Sequence, residues 1–325
     1  MTHHDRQIET ITLDNGTLRA RILTIGAAIQ SLSWCDSDHS MVLGYPTVEP
    51  YFTNPGKLGV IVGRYANRIR GARAEIDGAE YHFDANLGGI HCLHGGRDTL
   101  GLRVMDLVEA TPVSVHLRDV LPDGHMGFPG NLTVDVIYAL DGATLRTTIL
   151  GKTDATTLCN FTGHSYFNLS GNHDISDHRL QVAAEQRLEV DAESIPTGQY
   201  LDVAGTEYDL RDQASLAWGE GMRTIDMNYC LSDNPTDLRA VAVLRAGGNT
   251  MTLATTEAGL QVYTAHNLGT PLPSAPHGRA FHPYAGVALE PQYYPNSPNI
   301  PQFASAILHP DDDYRHVTEY RFSRD

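Results

Sequence analysis

Side chains that alternate between apolar and polar are the main pattern of this chain, and they predict a protein built from β-strands. In the clearest example, residues 134–140 place apolar side chains at every second position, and residues 145–149 do so again after a short turn. A period of two puts the apolar side chains on one face of a half-buried strand. Dipeptides that accept positive φ angles favour tight hairpins between such stretches. Three of them stand at such places: Asn15-Gly16, Asp77-Gly78 and Asp141-Gly142.

Further alternating stretches continue this pattern over both halves of the chain, whereas sustained helical periodicity is scarce. Short helices are expected only over Tyr51–Lys57 and Asp212–Trp218. Because no internal repeat or domain boundary is evident, residues 1–325 are expected to form a single all-β domain, a large antiparallel β-sandwich with few short helices. The remaining predicted strands cover Ile8–Leu13, Leu18–Ile22, Val241–Leu244, Met251–Ala254, Leu260–Thr264 and Gly286–Leu289.

The charge of the chain excludes several classes of partner. It carries 23 basic and 39 acidic residues, for a formal net charge of -16, which repels both nucleic acids and anionic membrane surfaces. It has no apolar run long enough to cross a membrane, and its first residues lack the basic and apolar regions of a signal peptide. The four cysteines are widely spaced, with no Cys-x-x-Cys pair. We expect a soluble cytoplasmic protein whose partner is a neutral small molecule or a cation.

Residues 160–171 carry the strongest candidate for chemistry. They place His164 among small polar and aromatic side chains and end at a glycine, where an imidazole can be partly desolvated and still meet a substrate. Such a histidine is suited to proton transfer. A structural histidine whose nitrogens are satisfied by neighbours is the alternative, because the chain contains 16 histidines.

Two glycine-containing segments bring further polar side chains. Residues 63–69 contain Asn67 and Arg68, an amide and a guanidinium whose donors and acceptors suit several hydroxyl groups of one ligand. Further along are His91 and His94, and the two glycines after His94 would let a ligand approach the backbone closely. The two histidines are poor candidates for a shared metal ion, since a three-residue step along a strand points them to opposite faces.

Two carboxylates complete the candidate set. Glu290 ends an apolar strand and is followed by a proline that restricts its backbone to extended geometry. Apolar surroundings raise the pKa of a carboxyl group toward neutrality, which turns a glutamate into a usable general base or acid. A strand-end glutamate that faces water is the alternative. The second carboxylate, Asp226, lies in the polar segment of residues 224–229.

Seven segments, in order over essentially the whole chain, carry a family resemblance. They are Gly63–Ile69, Leu93–Gly96, Asn160–Gly171, Ile195–Gly198, Ile225-Asp226, Gln261–Thr264 and Leu289–Gln292. Together they resemble the aldose 1-epimerase family, whose members are also called galactose mutarotases. The run His-Ser-Tyr-Phe-Asn-Leu-Ser-Gly is highly specific in company with Leu-His-Gly-Gly, whereas each glycine-rich segment alone would be weak evidence.

The resemblance implies a β-supersandwich with a sugar site on the concave face of a large sheet, and an isomerase that interconverts the α and β anomers of a free aldose, a hexose or a pentose. It implies that Glu290 is the general base on the anomeric hydroxyl and His164 the general acid on the ring oxygen, with His94 hydrogen-bonded near that oxygen. This chemistry needs no metal, nucleotide or other cofactor, and we expect a monosaccharide to be the partner of a monomer or weak homodimer. The residues implied to hold the remaining hydroxyls and to close the site are Asn67, Arg68, Tyr166, Asp226 and Gln261.

Three positions depart from the usual family pattern. Met227 follows the aspartate where many relatives have histidine, His91 stands where the motif Asn-x-Leu-His-Gly-Gly usually begins, and Asn296 stands where an aspartate often follows the proline. None of these changes removes an acid or a base. They leave the preferred sugar open among glucose, galactose, xylose and arabinose.

Three alternative functions share parts of this set. A phosphosugar (hexose-6-phosphate) 1-epimerase would need extra cationic donors for a dianion, and Arg64, Arg70 and Arg73 are the candidates. A noncatalytic sugar-binding β-sandwich would need only hydroxyl-binding and aromatic side chains. It would give no role to Glu290 together with His94 and His164. In a cupin-like metalloenzyme the metal ligands would be His94, His164 and Glu290.

Overall fold

Antiparallel β-strands form almost all of the regular structure. The computed structural model describes residues 7–269 and 281–325. In these two ranges no helix is long and apolar enough to cross a membrane. The all-β prediction with few short helices is confirmed, since the helices of the described chain are single 3-10 turns at Glu49–Phe52, Arg70–Ala72, Leu100–Leu102, His125–Gly127 and Ser297–Asn299.

The strands of the described residues are numbered here in chain order. They are β1 (Thr10–Asp14), β2 (Leu18–Leu23), β3 (Ile29–Trp34), β4 (Ile61–Val62), β5 (Arg68–Ile69), β6 (Arg73–Ile76), β7 (Ala79–His82), β8 (Cys92–Leu93), β9 (Asp106–Ala110), β10 (Ser114–Leu121), β11 (Leu132–Asp141), β12 (Thr144–Thr153), β13 (Thr157–Leu158), β14 (Thr162–Gly163), β15 (Tyr166–Phe167), β16 (Arg179–Val182), β17 (Gln186–Val190), β18 (Pro196–Asp202), β19 (Ala214–Ser215), β20 (Ala217–Trp218), β21 (Gly221–Met222), β22 (Asp226–Cys230), β23 (Arg239–Ala246), β24 (Asn249–Thr255), β25 (Gly259–Tyr263), β26 (Val287–Gln292), β27 (Ile307–Leu308) and β28 (Tyr314–Arg324).

The larger of the two main sheets has nine strands in the order β19-β16-β23-β24-β28-β12-β11-β10-β9. Its central hairpin is β11 and β12, where the predicted alternation is confirmed because every second side chain is buried. The tight turn lies one residue later than predicted. Asp141 pairs with Thr144, so the two turn residues are Gly142 and Ala143, and Gly142 provides the positive φ angle of 52°.

The other two predicted turns also join paired strands. Asp77 and Gly78 connect β6 to β7 with φ angles of 50° and 78°, as expected for a two-residue hairpin with both central residues left-handed. Between β1 and β2 the loop is longer. There the Asn15 side chain accepts hydrogen bonds from the backbone N–H groups of Thr17 and Leu18, so the asparagine shapes the turn through its side chain.

Both helix predictions need correction. The segment Tyr51–Lys57 contains only the end of one 3-10 turn, because Pro55 and Gly56 follow and cannot continue a helix. The prediction over Asp212–Trp218 is wrong, since β19 and β20 occupy it. Pairing of β19 with the edge of the nine-stranded sheet outweighs the weak helical pattern there.

The six-stranded sheet, in the order β15-β26-β25-β22-β17-β18, positions the candidate site. Leu260, Val262 and Leu289 point to one face, where they share a hydrophobic core with side chains of the nine-stranded sheet. Gln261 and Glu290 alternate with them and are directly paired across β25 and β26. They therefore lie on the opposite face, away from that core.

Candidate active site

Three buried side chains from distant parts of the chain meet on this face. His94, His164 and Glu290 each offer a nitrogen or oxygen atom, and these atoms all lie within 4.8 Å of one another. Nε2 of His164 lies 3.6 Å from Oε2 of Glu290. The rings of His94 and His164 lie edge to face, with their centroids 5.4 Å apart. The sequence-predicted base and acid are therefore neighbours in space, although 126 residues separate them along the chain.

The His164 imidazole is held by the backbone between β14 and β15. The His164 N–H donates to the carbonyl of Val60 at 2.8 Å, and the His164 carbonyl accepts from the N–H of Gly59 at 3.1 Å. Nδ1 of the ring is buried without a hydrogen-bond partner among the described residues, and so is Oε2 of Glu290. Buried polar atoms are seldom left unpaired, so these two atoms are available to a ligand.

The orientation of His94 fixes its tautomer. The backbone N–H of Asn67 donates to the ring atom Nδ1 of His94 at 3.1 Å. The backbone N–H of His94 donates to the carbonyl of Asn67 at 3.0 Å. An imidazole nitrogen that accepts a hydrogen bond carries no proton, so neutral His94 is protonated on Nε2. The ring therefore presents an N–H donor on the side away from Asn67.

The glycine after His94 has a different purpose from the expected ligand approach. A Cβ atom on Gly95 would lie 2.5 Å from the backbone of Gly63 and Arg64, and the φ angle of Gly95 is 83°. Glycine is thus required at this position for two backbone segments to pack closely. This packing places His94 beside the residues that precede β5.

Burial and neighbouring charges shift the pKa values of all three groups away from solution values. Burial, and then the charge of Asp226, raises the pKa of Glu290 well above its ordinary value. Burial lowers the pKa of His164 to about 4. Burial also lowers the pKa of His94 well below its ordinary value, with a smaller contribution from His164. Both imidazoles are therefore neutral near neutral pH, and the two opposite shifts favour a proton on Glu290 over a proton on His164.

Polar side chains beside this cluster form a connected network. Gln261 donates from Nε2 to Oδ1 of Asp226 at 2.6 Å, and Nη2 of Arg68 lies 3.5 Å from Oδ2 of the same carboxylate. The Asn67 side-chain oxygen accepts from Nη1 of Arg68 at 3.2 Å. The hydroxyl-binding residues that were predicted from sequence are thus brought together in one group on β5, β22 and β25.

The predicted closing residue, Tyr166, lies beside His164, and its hydroxyl group already makes a hydrogen bond. The Tyr166 hydroxyl donates to the carbonyl of Gly56 at 2.9 Å, while its ring lies 5.0 Å from the His164 ring. Tyr263, which sequence reasoning did not select, has its ring 6.1 Å from that of Tyr166. It pairs with Asp226 across the sheet and is two residues from Gln261, so a period-two reading of β25 would have placed it on the site face.

The three unusual positions lie outside this cluster. Met227 packs against the hydrophobic core on the other face from Asp226, and its sulfur accepts from Nη1 of Arg187 at 3.6 Å. Nδ1 of His91 accepts from the backbone N–H of Gly71 at 3.0 Å, and its Nε2 lies 3.4 Å from a carboxylate oxygen of Glu193. Asn296 adopts a left-handed conformation with a φ angle of 59°, and its N–H donates to the carbonyl of Arg68 at 2.8 Å. Asn296 thus supports the backbone of β5.

The arginines considered for a phosphate group are engaged elsewhere. The Arg64 guanidinium is buried and donates to the backbone carbonyls of residues 121, 129 and 130. Arg70 forms an ion pair with Asp191 at 2.5 Å. Arg73 is exposed and lies 3.7 Å from Glu80. None of the three is among the side chains that contact the cluster of histidines and glutamate.

The same cluster has the donor set of a metal site. Nδ1 of His94 is occupied by the Asn67 N–H, which leaves Nε2 as its possible ligand atom beside His164 and Glu290. Two imidazoles and one carboxylate are the ligands of many metal centres with open coordination positions. Geometry alone therefore permits both proton transfer and metal binding. A chelator would abolish the activity of a metal site and would leave the activity of a proton-transfer site unchanged.

Comparison with known proteins gives one consistent answer. The sequence profile of the family described as aldose 1-epimerase matches residues 9–321. The chain is 35% identical to galactose mutarotase of Rattus norvegicus over 331 aligned residues, covering 97% of this chain and 94% of that protein. It is 32% identical to aldose 1-epimerase of Escherichia coli K12, covering 95% and 93% of the two chains. The solved structure of the GalM/aldose epimerase homologue from C. elegans superposes with a TM-score of 0.91 at 27% identity, covering 98% of this chain and 99% of that one.

Proposed function

Since the chain belongs to the aldose 1-epimerase family and is an isomerase, we propose that it interconverts the α and β anomers of a free aldose by proton transfer between the sugar, Glu290 and His164. The observation that carries this mechanism is the 3.6 Å approach of Nε2 of His164 to Oε2 of Glu290 in a buried site. One group can then face the anomeric hydroxyl while the other faces the ring oxygen of the same sugar.

Ring opening requires two proton transfers. The Glu290 carboxylate removes the proton from the anomeric hydroxyl, and a carbonyl bond forms at C1 as the bond from C1 to the ring oxygen breaks. The electron pair of that bond goes to the ring oxygen, which takes a proton from the His164 imidazolium. Rotation about the C1–C2 bond presents the other carbonyl face. Ring closure then returns each proton to its donor, as microscopic reversibility demands.

The buried environment favours both transfers. Burial raises the pKa of Glu290 and lowers that of His164, so the protonated glutamate and the neutral histidine are the stable pair. Ring opening starts from the charged pair, the Glu290 carboxylate and the His164 imidazolium. It ends in the neutral pair, because the carboxylate has gained a proton and the imidazolium has lost one. The closed sugar, with hydroxyl groups that hydrogen-bond to charges, stabilises the starting pair, while the site itself stabilises the product pair.

His94 assists as a neutral hydrogen-bond donor. Its Nε2–H is fixed by the hydrogen bond that Nδ1 accepts from Asn67, and burial lowers its pKa well below the ordinary value. An oriented N–H group beside the ring oxygen stabilises negative charge that develops there without itself changing protonation state. His94 therefore stabilises the charge, while His164 moves the proton.

The polar network recognises the remaining hydroxyl groups. Asp226 accepts hydrogen bonds, Gln261 both donates and accepts, and Arg68 donates through a fixed fork of N–H groups. Asn67 holds the Arg68 guanidinium at 3.2 Å, so that the fork is oriented before sugar binds. These are groups that suit an uncharged polyol, and glucose, galactose, xylose and arabinose all satisfy that description.

Polarimetry tests the activity directly. Freshly dissolved α-galactose, α-glucose and α-xylose should relax to their equilibrium rotations faster with the purified protein than in buffer alone, and the relative kcat/KM values rank the sugars. A protein that binds these sugars without accelerating any of them would instead be a noncatalytic sugar-binding protein. Its binding is measured in the same samples by calorimetry.

A further inference from the structure

Lys57 is an unusual cation beside the candidate active site. The chain has only two lysines, Lys57 and Lys152. Lys57 is half-buried and has a left-handed backbone conformation, with a φ angle of 56°. Its N–H donates to the carbonyl of Asn54 at 2.9 Å, which closes a tight turn. The lysine is therefore held by the backbone of a short loop, residues 54–59.

This loop is bound to the residues that carry the acid. The carbonyl of Gly56 accepts the hydroxyl proton of Tyr166 at 2.9 Å, and the N–H of Gly59 donates to the carbonyl of His164 at 3.1 Å. One contact lies on each side of Lys57 along the chain. Hydrogen bonds on both sides of Lys57 thus place its backbone next to the segment that carries Tyr166 and His164.

The ammonium group has no carboxylate partner. Within the described ranges no Asp or Glu oxygen lies within 4.0 Å of Nζ of Lys57, whereas the other lysine, Lys152, pairs with Asp313 at 2.8 Å. Burial lowers the pKa of Lys57, as expected for an ammonium group that loses solvent without gaining a counter-ion. In a chain of net charge -16, an unpaired and partly buried cation is a site at which an anion would be stabilised.

The charge acts on the histidine side of the site. The positive charge of Lys57 lowers the pKa values of both His94 and His164. The hydrogen bonds of Gly56 to Tyr166 and of Gly59 to His164 place the loop that carries Lys57 at the histidine end of the site.

The proposed binding mode of the sugar places its C5 substituent at that same end. With the anomeric hydroxyl at Glu290 and the ring oxygen at His164, the C2 and C3 hydroxyls extend toward Asp226 and Gln261. The ring oxygen joins C1 to C5, so C5 and its substituent lie beyond the ring oxygen on the histidine side. In a neutral hexose this substituent is a hydroxymethyl group, and in a hexuronic acid it is a carboxylate.

We propose that Lys57 binds a carboxylate on C5 of the sugar, so that the site accepts aldohexuronic acids and prefers them to the matching neutral hexoses. This specificity rests on the proposed mutarotase function. A single ammonium group matches the single charge of a carboxylate, whereas a phosphate dianion would call for further cationic donors. Arg64, Arg70 and Arg73 do not supply them, because each is engaged elsewhere.

Galacturonate and galactose form a matched pair that differs only at C6. Magnetisation exchange between the two anomeric protons, measured by NMR at equilibrium, gives the catalysed rate for each sugar without a pure anomer, after subtraction of the rate in buffer. The proteins are wild type, Lys57→Met, which keeps a long unbranched side chain and removes its charge, and Lys152→Met as the matched control. Thermal unfolding of each variant shows whether it is folded.

In wild type we expect kcat/KM for galacturonate to exceed that for galactose. A charge-assisted hydrogen bond contributes enough that Lys57→Met should lower the ratio of the two values by about tenfold or more. Lys152→Met should leave both values unchanged. In wild type, raising the salt concentration should lower kcat/KM for galacturonate and not for galactose, because ions screen a partly exposed charge pair.

Three results would overturn the proposal. The first is a wild-type ratio at or below one, and the second is a ratio that Lys57→Met does not change. The third is faster exchange with glucose 6-phosphate than with galacturonate, which would assign the cation to a phosphate. If Lys57→Met fails to fold, the salt dependence of wild type decides the matter. A protein inactive on every neutral aldose and on galacturonate would contradict the mutarotase function itself, which is a separate failure.

Discussion

Lowering the pH to 5 should leave this enzyme almost fully active, although the proposed acid is a histidine. The active pair holds one proton in total, shared by Glu290 and His164, and activity is lost at low pH when the pair takes up a second proton. That second proton binds to His164 while Glu290 is already protonated. Because burial lowers the pKa of His164, the acidic limb of kcat/KM moves to lower pH.

The size of the effect follows from that pKa. With a value of about 4 for His164, about one site in ten carries the extra proton at pH 5, so kcat/KM should stay at about 90% of its plateau. A histidine with an ordinary pKa of about 6.5 would be protonated in about 97% of molecules at the same pH, which would leave about 3% of the activity. The two cases differ about thirtyfold.

Polarimetry of fresh α-galactose from pH 3.5 to 9 measures this profile. Rates in buffer alone are subtracted at each pH, and samples returned to pH 7 confirm that the enzyme has survived. An acidic limb with its midpoint near pH 6.5 would refute the reasoning, because it would mean that the acid titrates as a solvent-exposed histidine. The alkaline limb should lie well above pH 4.5, since the pKa of Glu290 is raised.

Three further predictions concern the surroundings of the pair. Asp226→Asn should raise KM about tenfold through the loss of a charged hydrogen-bond acceptor; it should also move the alkaline limb to lower pH, because the charge of Asp226 raises the pKa of Glu290. Gly95→Ala should destabilise the fold by about 2 kcal/mol or more in chemical denaturation, because strain at a φ of 83° adds to a 2.5 Å backbone clash. The control Gly88→Ala, with a φ of 62° and open space around its Cβ, should cost only about 1 kcal/mol. Prolonged incubation with EDTA should leave kcat unchanged if the cluster transfers protons, whereas lost activity that Zn²⁺ or Fe²⁺ restores would identify a metal centre.

Local patterns were sufficient for eight strands (β1, β2, β11, β12 and β23 to β26) and for two of the three turns. Alternation along β11 and β12 follows from the chemistry of successive side chains, and the burial of the structure agrees with it. The hairpin between them could not be placed to the residue, because Asp141 is as acceptable at the end of a strand as within a turn. The segment Asp212–Trp218 was assigned to a helix because its pairing partner, β16, lies more than 30 residues away in sequence.

The composition of the site depended on the family resemblance, and its geometry depended on the fold. No periodicity relates His94 to His164 or Glu290, since His94 follows β8, His164 lies between β14 and β15, and Glu290 lies within β26. Tyr263 was missed because an aromatic residue in a strand is ordinarily a core residue. Lys57 was missed because a lone lysine in a polar loop is ordinarily solvated, and only the contacts of residues 54–59 place it beside the acid.

Met227 departs from the family pattern that the sequence resembles, and the structure shows what this side chain contacts. Successive residues of β22 point to opposite faces, and Met227 lies on the core side, where its sulfur accepts from Arg187. Asp226 keeps its hydrogen bond with Gln261 at 2.6 Å on the site face. The substitution therefore acts on packing and not on a contact within the polar network.

The most direct test of the mechanism is polarimetry of α-galactose with wild type, Glu290→Gln, His164→Gln and the double variant. Each single change should lower kcat by about 10² to 10⁴, and the double variant should be little worse than the poorer single variant, because the two groups act as one unit. Glu257→Gln is the matched control, since Glu257 is also a buried carboxylate near a histidine, 3.8 Å from Nδ1 of His316, and has a pKa raised to about 8. Wild-type rates in both single variants, or equal losses in Glu257→Gln, would contradict the assignment of Glu290 and His164 as base and acid.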